Sequence, residues 1–379
     1  MIYLDGDNNL ASAAVADMEE IRRATLDSSI EVVLQVDLRA PYNPSTTQRY
    51  RVAKGALVPL ESLGEADMAA PDTLTNFVRW AGQTYPAEHT ALILWNHGNG
   101  WDQGDRPRAK LGSRSILYDD DNGSSFLANA DVRAAIEKAG VKLDVLGLDA
   151  SIMGTLEAQY EFRNLAPVLI TSQEVGHDSG WDYTALLSGL SADTSAEAFS
   201  RHVVSSYRDF FEQTFYPSHP GYEKRHSITA LRTACLTGVA ADVERVAQTL
   251  LLALAATSTR QTALDSLTAA LAAAQHIDYY VQPSVYVDLV DILPRIDPTS
   301  TISQIVADCT LDEYHGSARP NAHGMSIVLF DPVRAKTFGT FDANYRNWDE
   351  QTHTGNGGAF INEFHWDEMM MQYIQAIAP

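Results

Sequence analysis

Thr90-Ala91-Leu92-Ile93-Leu94-Trp95 runs without a break into Asn96-His97-Gly98-Asn99-Gly100-Trp101. The first six residues form a short, nearly continuous apolar run, the pattern of a strand buried on both faces of a parallel sheet. The next six are polar and glycine-rich, as befits a loop at the carboxyl end of such a strand, where open α/β sheets gather their chemistry. Three similar runs span residues 31–36, 143–148 and 167–171, and Ile2-Tyr3-Leu4 reads as another core strand. Amphipathic segments lie between them. Residues 13–24 carry Val15, Met18 and Ile21 at helical spacing, and residues 73–82 carry Leu74, Phe77 and Val78 with Asp72 as N-cap. Residues 129–139 turn Val132, Ala135 and Ile136 inward. Strand and helix in alternation predict βαβ units and a doubly wound, mostly parallel sheet. Residues 47–60, broken by Lys54-Gly55, read as an edge hairpin.

After Ser195 helices dominate, over residues 196–212, 239–255, 262–274 and 364–377, with strands at 227–233 and 324–330. The segment 216–226, with two prolines and a glycine, reads as a surface linker. The division expected is a core over 1–194 and a helix-rich part over 195–379 that completes the sheet, as one continuous unit.

The chain has 379 residues, 49 of them acidic and 27 basic, for a net charge of −22. That balance argues against nucleic acid or an anionic membrane as partner, since both need a basic footprint, and leaves basic peptides and cations open. Two cysteines, Cys235 and Cys309, exclude a disulfide scaffold and a zinc site of several thiolates. Whether they pair is not legible from sequence. No apolar run approaches the roughly 20 residues of a membrane span.

Residues 143–148 lead into Asp149-Ala150-Ser151-Ile152-Met153-Gly154, and 167–171 into Ser172-Gln173-Glu174 and then Gly176-His177-Asp178-Ser179-Gly180-Trp181-Asp182-Tyr183. The three loops should converge on one sheet edge. His97 there is a candidate general base, or a structural histidine satisfied by backbone. Gly98 allows a backbone N–H to approach a ligand closely. Ser151 is expected to open a helix over 152–163, where amides and the helix dipole favour an anion; its alternative role is a plain N-cap. A thiol at that position would be a far better nucleophile than a hydroxyl.

The strings 92–101 and 148–153 resemble the two signature blocks of the clostripain family of cysteine peptidases. Asp5-Gly6-Asp7-Asn8-Asn9-Leu10, Ser172-Gln173-Glu174, Gly180-Trp181-Asp182-Tyr183 and His323-Gly324-Met325-Ser326-Ile327 resemble further blocks, in the same order. The resemblance implies a caspase-like α/β/α sandwich and a dyad of His97 and residue 151, where the family has cysteine and this chain has Ser151. The oxyanion would rest on the amides of Gly98 and residue 151. Specificity would be for Arg or Lys before the cut bond. Asp149 would pair with that cation, and Asp178 is a second candidate or else a turn aspartate. Basic peptides and proteins would be the substrates. Self-cleavage would fall at Arg108, Lys110 or Arg114, with Lys224-Arg225 a second possibility.

Calcium is left open as a cofactor: Asp119-Asp120-Asp121-Asn122-Gly123 is rich in oxygen ligands, but the twelfth position of an EF-hand loop counted from Asp119 is Ala130, not glutamate. Family habit, and a chain that opens on a core strand, suggest an upstream signal and a secreted or periplasmic protein. Three accounts of Ser151 stand. The preferred one is an engineered Cys-to-Ser change that leaves the peptidase inactive. The alternative is a natural pseudopeptidase that binds basic peptides without cutting. The third, a working serine nucleophile, lacks a visible group to orient His97.

Overall fold

The computed structural model describes residues 1–42, 46–53, 55–101, 116–123, 125–277, 285–330, 345, 348–349, 354–355 and 358–377. The alternation read from the sequence builds the centre of the molecule. β1 (Ile2–Gly6), α1 (Ala11–Arg23) and β2 (Val33–Leu38) are followed by the hairpin β3 (Thr47–Ala53) and β4 (Ala56–Gly64), then α2 (Pro71–Thr84) and β5 (Ala91–Trp95). The small hairpin β6 (Ile116–Asp119) and β7 (Ser125–Leu127) precedes α3 (Asn129–Ala139), β8 (Val145–Asp149), α4 (Leu156–Glu161), β9 (Val168–Thr171), α5 (Tyr183–Leu187), α6 (Ala196–Phe210) and β10 (Ser227–Arg232). Later come β11 (Tyr286–Asp288), β12 (Thr310–His315) and β13 (Ser326–Val328).

Nine strands form one sheet in the order β12-β10-β9-β8-β5-β1-β2-β3-β4. The five central strands, β2, β1, β5, β8 and β9, are parallel. The pairs β2–β3, β3–β4, β9–β10 and β10–β12 are antiparallel. Successive side chains of β5 serve opposite layers, because strand periodicity is two. Leu92 and Leu94 join a core with Phe77 and Val78 of α2 and Val132 of α3, whereas Ile93 and Trp95 join one with Ile21 of α1 and Val203 of α6. Helices therefore cover both faces, and the protein is the α/β/α sandwich expected.

Several expectations shift. Asp72 is not the N-cap of α2: Ala70 precedes the helix and Pro71 takes its first turn, leaving Asp72 inside it. There Asp72 pairs with Lys138 of α3 at 2.7 Å. The strand expected over 324–330 is short and lies outside the main sheet, paired with β11. The segment 216–226 is exposed in its middle, but Tyr216 and His226 are buried and bonded to each other at 2.8 Å, so it is anchored at both ends. Cys235 and Cys309 form a disulfide with their Cα atoms 6.0 Å apart. Among the described residues no helix is long and apolar enough to cross a membrane.

Candidate active site

β5 and β8 are neighbours in register, with Trp95 opposite Asp149, so the loops that follow them leave the sheet side by side. Gly98 makes their contact feasible. A Cβ at that position would lie 2.5 Å from the Ser151 carbonyl oxygen and 2.9 Å from Ala150 Cβ, closer than real Cβ atoms come. Only glycine fits.

Ser151 does not open a helix. α4 starts at Leu156 and is capped by Thr155, whose side chain accepts from Ala158 N at 3.3 Å. Ser151 is thus neither an N-cap nor a group bathed in a helix dipole, and both expectations are corrected. It stands at the head of a tight turn in which Ile152 has φ of 61°, a left-handed conformation that a β-branched residue rarely adopts. Surrounding bonds hold the turn. Ile152 N donates to Glu174 O at 3.1 Å, Gly154 N to Ser172 O at 2.7 Å, and Ser326 N to Gly154 O at 2.9 Å. The Ser151 hydroxyl accepts from Gly176 N at 3.0 Å. The supports are themselves fixed: Gln173 Oε1 accepts from Gly324 N at 2.7 Å, its amide donates to Asp288 at 3.1 Å, and buried Glu174 pairs with buried Arg319.

His97 has a partner that the sequence did not disclose. Its Nε2 lies 2.9 Å from Oδ1 of Asn9, in the loop after β1. Asn8 next to it locks that loop, donating to Tyr118 O at 2.7 Å while its Oδ1 accepts from Leu10 N at 2.8 Å. Asn96 donates to Asp5 Oδ2 at 2.6 Å, tying the histidine's loop to β1. Burial lowers the His97 pKa, opposed by the charges of Asp178 and Asp120, so the ring is neutral at pH 7 and can accept a proton.

Asp149 ends β8 half-buried, accepting from the Tyr183 hydroxyl at 2.9 Å and Trp181 N at 3.4 Å. Burial pushes its pKa up to about 7. Asp178 is exposed, on the cavity's rim. His97, Gly98, Asp149, Ser151 and Asp178 nevertheless line one cavity of about 510 Å³. The missed residues, Asn9 above and Asp17 below, come from the turn and helix after β1. The signal for Asn9 was the opening block 5–10, which follows a core strand; Asp17, a lone acid on α1, had none.

Residues 2–370 match the clostripain family. The chain belongs to that family. Clostripain of Hathewaya histolytica is 28% identical over 224 residues, which are 51% of this chain and 42% of that protein, so the match spans less than half of the relative. The fold is similar to that of an inactive zymogen C11 protease from Parabacteroides distasonis, with a TM-score of 0.66 and 19% identity over 88% of this chain and 92% of the other. A secreted C11 cysteine protease from Bacteroides thetaiotaomicron, solved with an irreversible peptide inhibitor, gives 0.66 and 18% over 87% and 92%.

The family's blocks divide by task. Those at 96–98 and 149–151 line the cavity, 173–174 and 323–327 fasten the turn beside it, and Ser172 does both. Arg108, Lys110 and Arg114 lie outside the described residues. In the stretch 119–123, carboxylate oxygens are taken by protein donors: Asp119 accepts from Met68 N at 2.8 Å, and Asp120 pairs with Arg39 at 3.0 Å. Among the described residues no group of three or more His, Cys, Asp or Glu is placed to hold a metal ion.

Proposed function

We propose that the cavity is the active site of a clostripain-type cysteine endopeptidase that cuts after Arg or Lys, inactive in this form because Ser151 occupies the nucleophile position. The observation that carries the reading is the convergence of His97, Gly98, Asp149 and residue 151 on one cavity at the carboxyl ends of β5 and β8. With cysteine at 151, His97 takes the thiol proton and the thiolate attacks the peptide carbonyl. The amides of Gly98 and residue 151 stabilise the oxyanion. His97 then protonates the leaving amine as the C–N bond breaks, and water hydrolyses the thioester. Asp149 receives the basic side chain as a charge-assisted hydrogen-bond acceptor. A serine stalls at the first step: no helix terminus lowers the pKa of its hydroxyl, and burial has weakened the proton affinity of His97.

Ser151→Cys should gain hydrolysis of fluorogenic peptides ending in Arg or Lys, with little on Ala. The restored enzyme should acquire a new amino terminus within 108–114, read by N-terminal sequencing. No cleavage of any peptide by the cysteine form would defeat the peptidase reading and leave the binding-only alternative. Equal cleavage after Ala and Arg would defeat the role of Asp149.

A further inference from the structure

Behind the lining residues Trp95, Asp149 and Gly180 lies a further acid. Asp17, on α1, is 1% exposed, and its Oδ2 accepts from Trp95 Nε1 at 2.6 Å. It lies across from Asp149. A Cβ on Gly180 would be 3.2 Å from Asp149 Oδ2 and 3.3 Å from Asp17 Oδ2, so the two carboxyls face each other over the space that a side chain at 180 would fill. Gly180 also has φ of 52°, which favours glycine there independently. Gly147 in β8 makes room for the Trp181 ring that walls this corner: a Cβ there would lie 2.9 Å from it.

The charges that bear on Asp17 are negative, Asp149 first and then Glu20. Glu20, one turn along α1, faces the charge of Asp182 at the start of α5, which Arg23 opposes. From α5 the Tyr183 hydroxyl donates to Asp149, and from α6 Tyr207 lines the same cavity. The neighbours of the pair are therefore indole, phenols, amides and further carboxyls. Two facing carboxyls in such a place do not both ionise; one of them keeps its proton until a cation arrives.

We propose that Asp17 is a second carboxyl of the specificity pocket, which keeps a proton while the pocket is empty and releases it when a guanidinium or ammonium group enters beside Asp149. The inference rests on the pocket's taking a basic side chain. Burial and the neighbouring acids support it, raising Asp17 to about 9 and Asp149 to about 7. An entering cation lowers both, so binding expels a proton and tightens as pH rises.

The test is isothermal titration of the Ser151 chain with acetyl-arginine amide, and with acetyl-citrulline amide as the neutral isostere, at pH 7.5 in two buffers of different ionisation enthalpy. Arginine amide should bind more tightly than citrulline amide and release about one proton. Asp17→Asn, which retains an acceptor for Trp95, should weaken arginine amide roughly tenfold and abolish the proton release. Preference for arginine with affinity and proton release unchanged in Asp17→Asn overturns the inference alone. Equal binding of the two amides overturns the basic-residue reading and this inference with it. Should the variant fail to fold, the parent decides: arginine binding without buffer-dependent heat overturns the role of Asp17.

Discussion

Asn9 decides which nitrogen of His97 is left to work. With Oδ1 accepting from Nε2–H at 2.9 Å, the ring is held in one tautomer, and in the proposed mechanism Nδ1 would be the nitrogen that takes the proton of residue 151. The same acceptor steadies the imidazolium once it forms, the part that a third group plays in dyads extended to triads. A hydrogen bond to a charged group is worth about 1.5–3 kcal/mol, so Asn9→Ala in the cysteine form should lower kcat roughly ten- to hundredfold. NMR titration of the Ser151 chain reads the same contact without catalysis. The His97 pKa should fall in Asn9→Ala and rise in Asn9→Asp, where a carboxylate faces the ring. An unmoved pKa together with unmoved kcat would show that Asn9 only touches the ring.

At the scale of elements, the turn 151–154 depends on segments far away in sequence. Its clamp, residues 172–174, is held by the Glu174–Arg319 pair, with both side chains buried. Removing one partner of a buried pair strands the other's charge, which costs about 3–5 kcal/mol, whereas replacing both with apolar groups is often neutral. Arg319→Met should therefore destabilise the protein by that amount, and Glu174→Leu added to it should recover most of the loss in urea denaturation. Similar losses in the single and double variants would show that the pair does not act as a unit. The same distance explains what was legible. Strands β5, β8 and β9 were readable because burial on both faces leaves continuous apolar runs, and α3 because its apolar spacing is regular. The start of α4 was misread because bonds to Ser172, Glu174 and Ser326 override the local helical pattern of 152–155. His97, Asp149 and residue 151 could be singled out from their place after strands, and they line one cavity. Asn9 and Asp17 were not, since neither is next to its partner until β1 is laid beside β5.

Over the whole molecule the acid has an unusual consequence. Asp5, Asp7, Asp37 and Asp119 crowd the carboxyl ends of β1, β2 and β6, and burial, with repulsion among them, raises every one; Asp7 and Asp37 reach about 7. Buried Glu157 also stands at about 7. A carboxyl raised on folding binds more protons in the native state than in the unfolded one between its two pKa values. Its contribution to stability is full below the unfolded value and is lost as pH rises through the folded one. Three histidines oppose this: His97, His177 and His226 are held neutral by burial, His226 down to about 3. Three others, His315, His323 and His365, are raised by Glu313, Asp288 and Glu244 and favour acid. With the histidines balanced in number, the carboxyls set the sign. Lowering the pH also relieves the self-repulsion of a chain at −22. Scanning calorimetry should therefore find Tm higher at pH 5.5 than at pH 8, by several degrees at roughly 2–4 °C per kcal/mol. Asp37→Asn should flatten that slope, because an amide of the same size can still pair with the Thr47 hydroxyl that donates to Asp37 while the titrating group is gone. A Tm that falls on going to pH 5.5 would mean that these carboxyls are ionised in the native protein, their charge met by a bound cation.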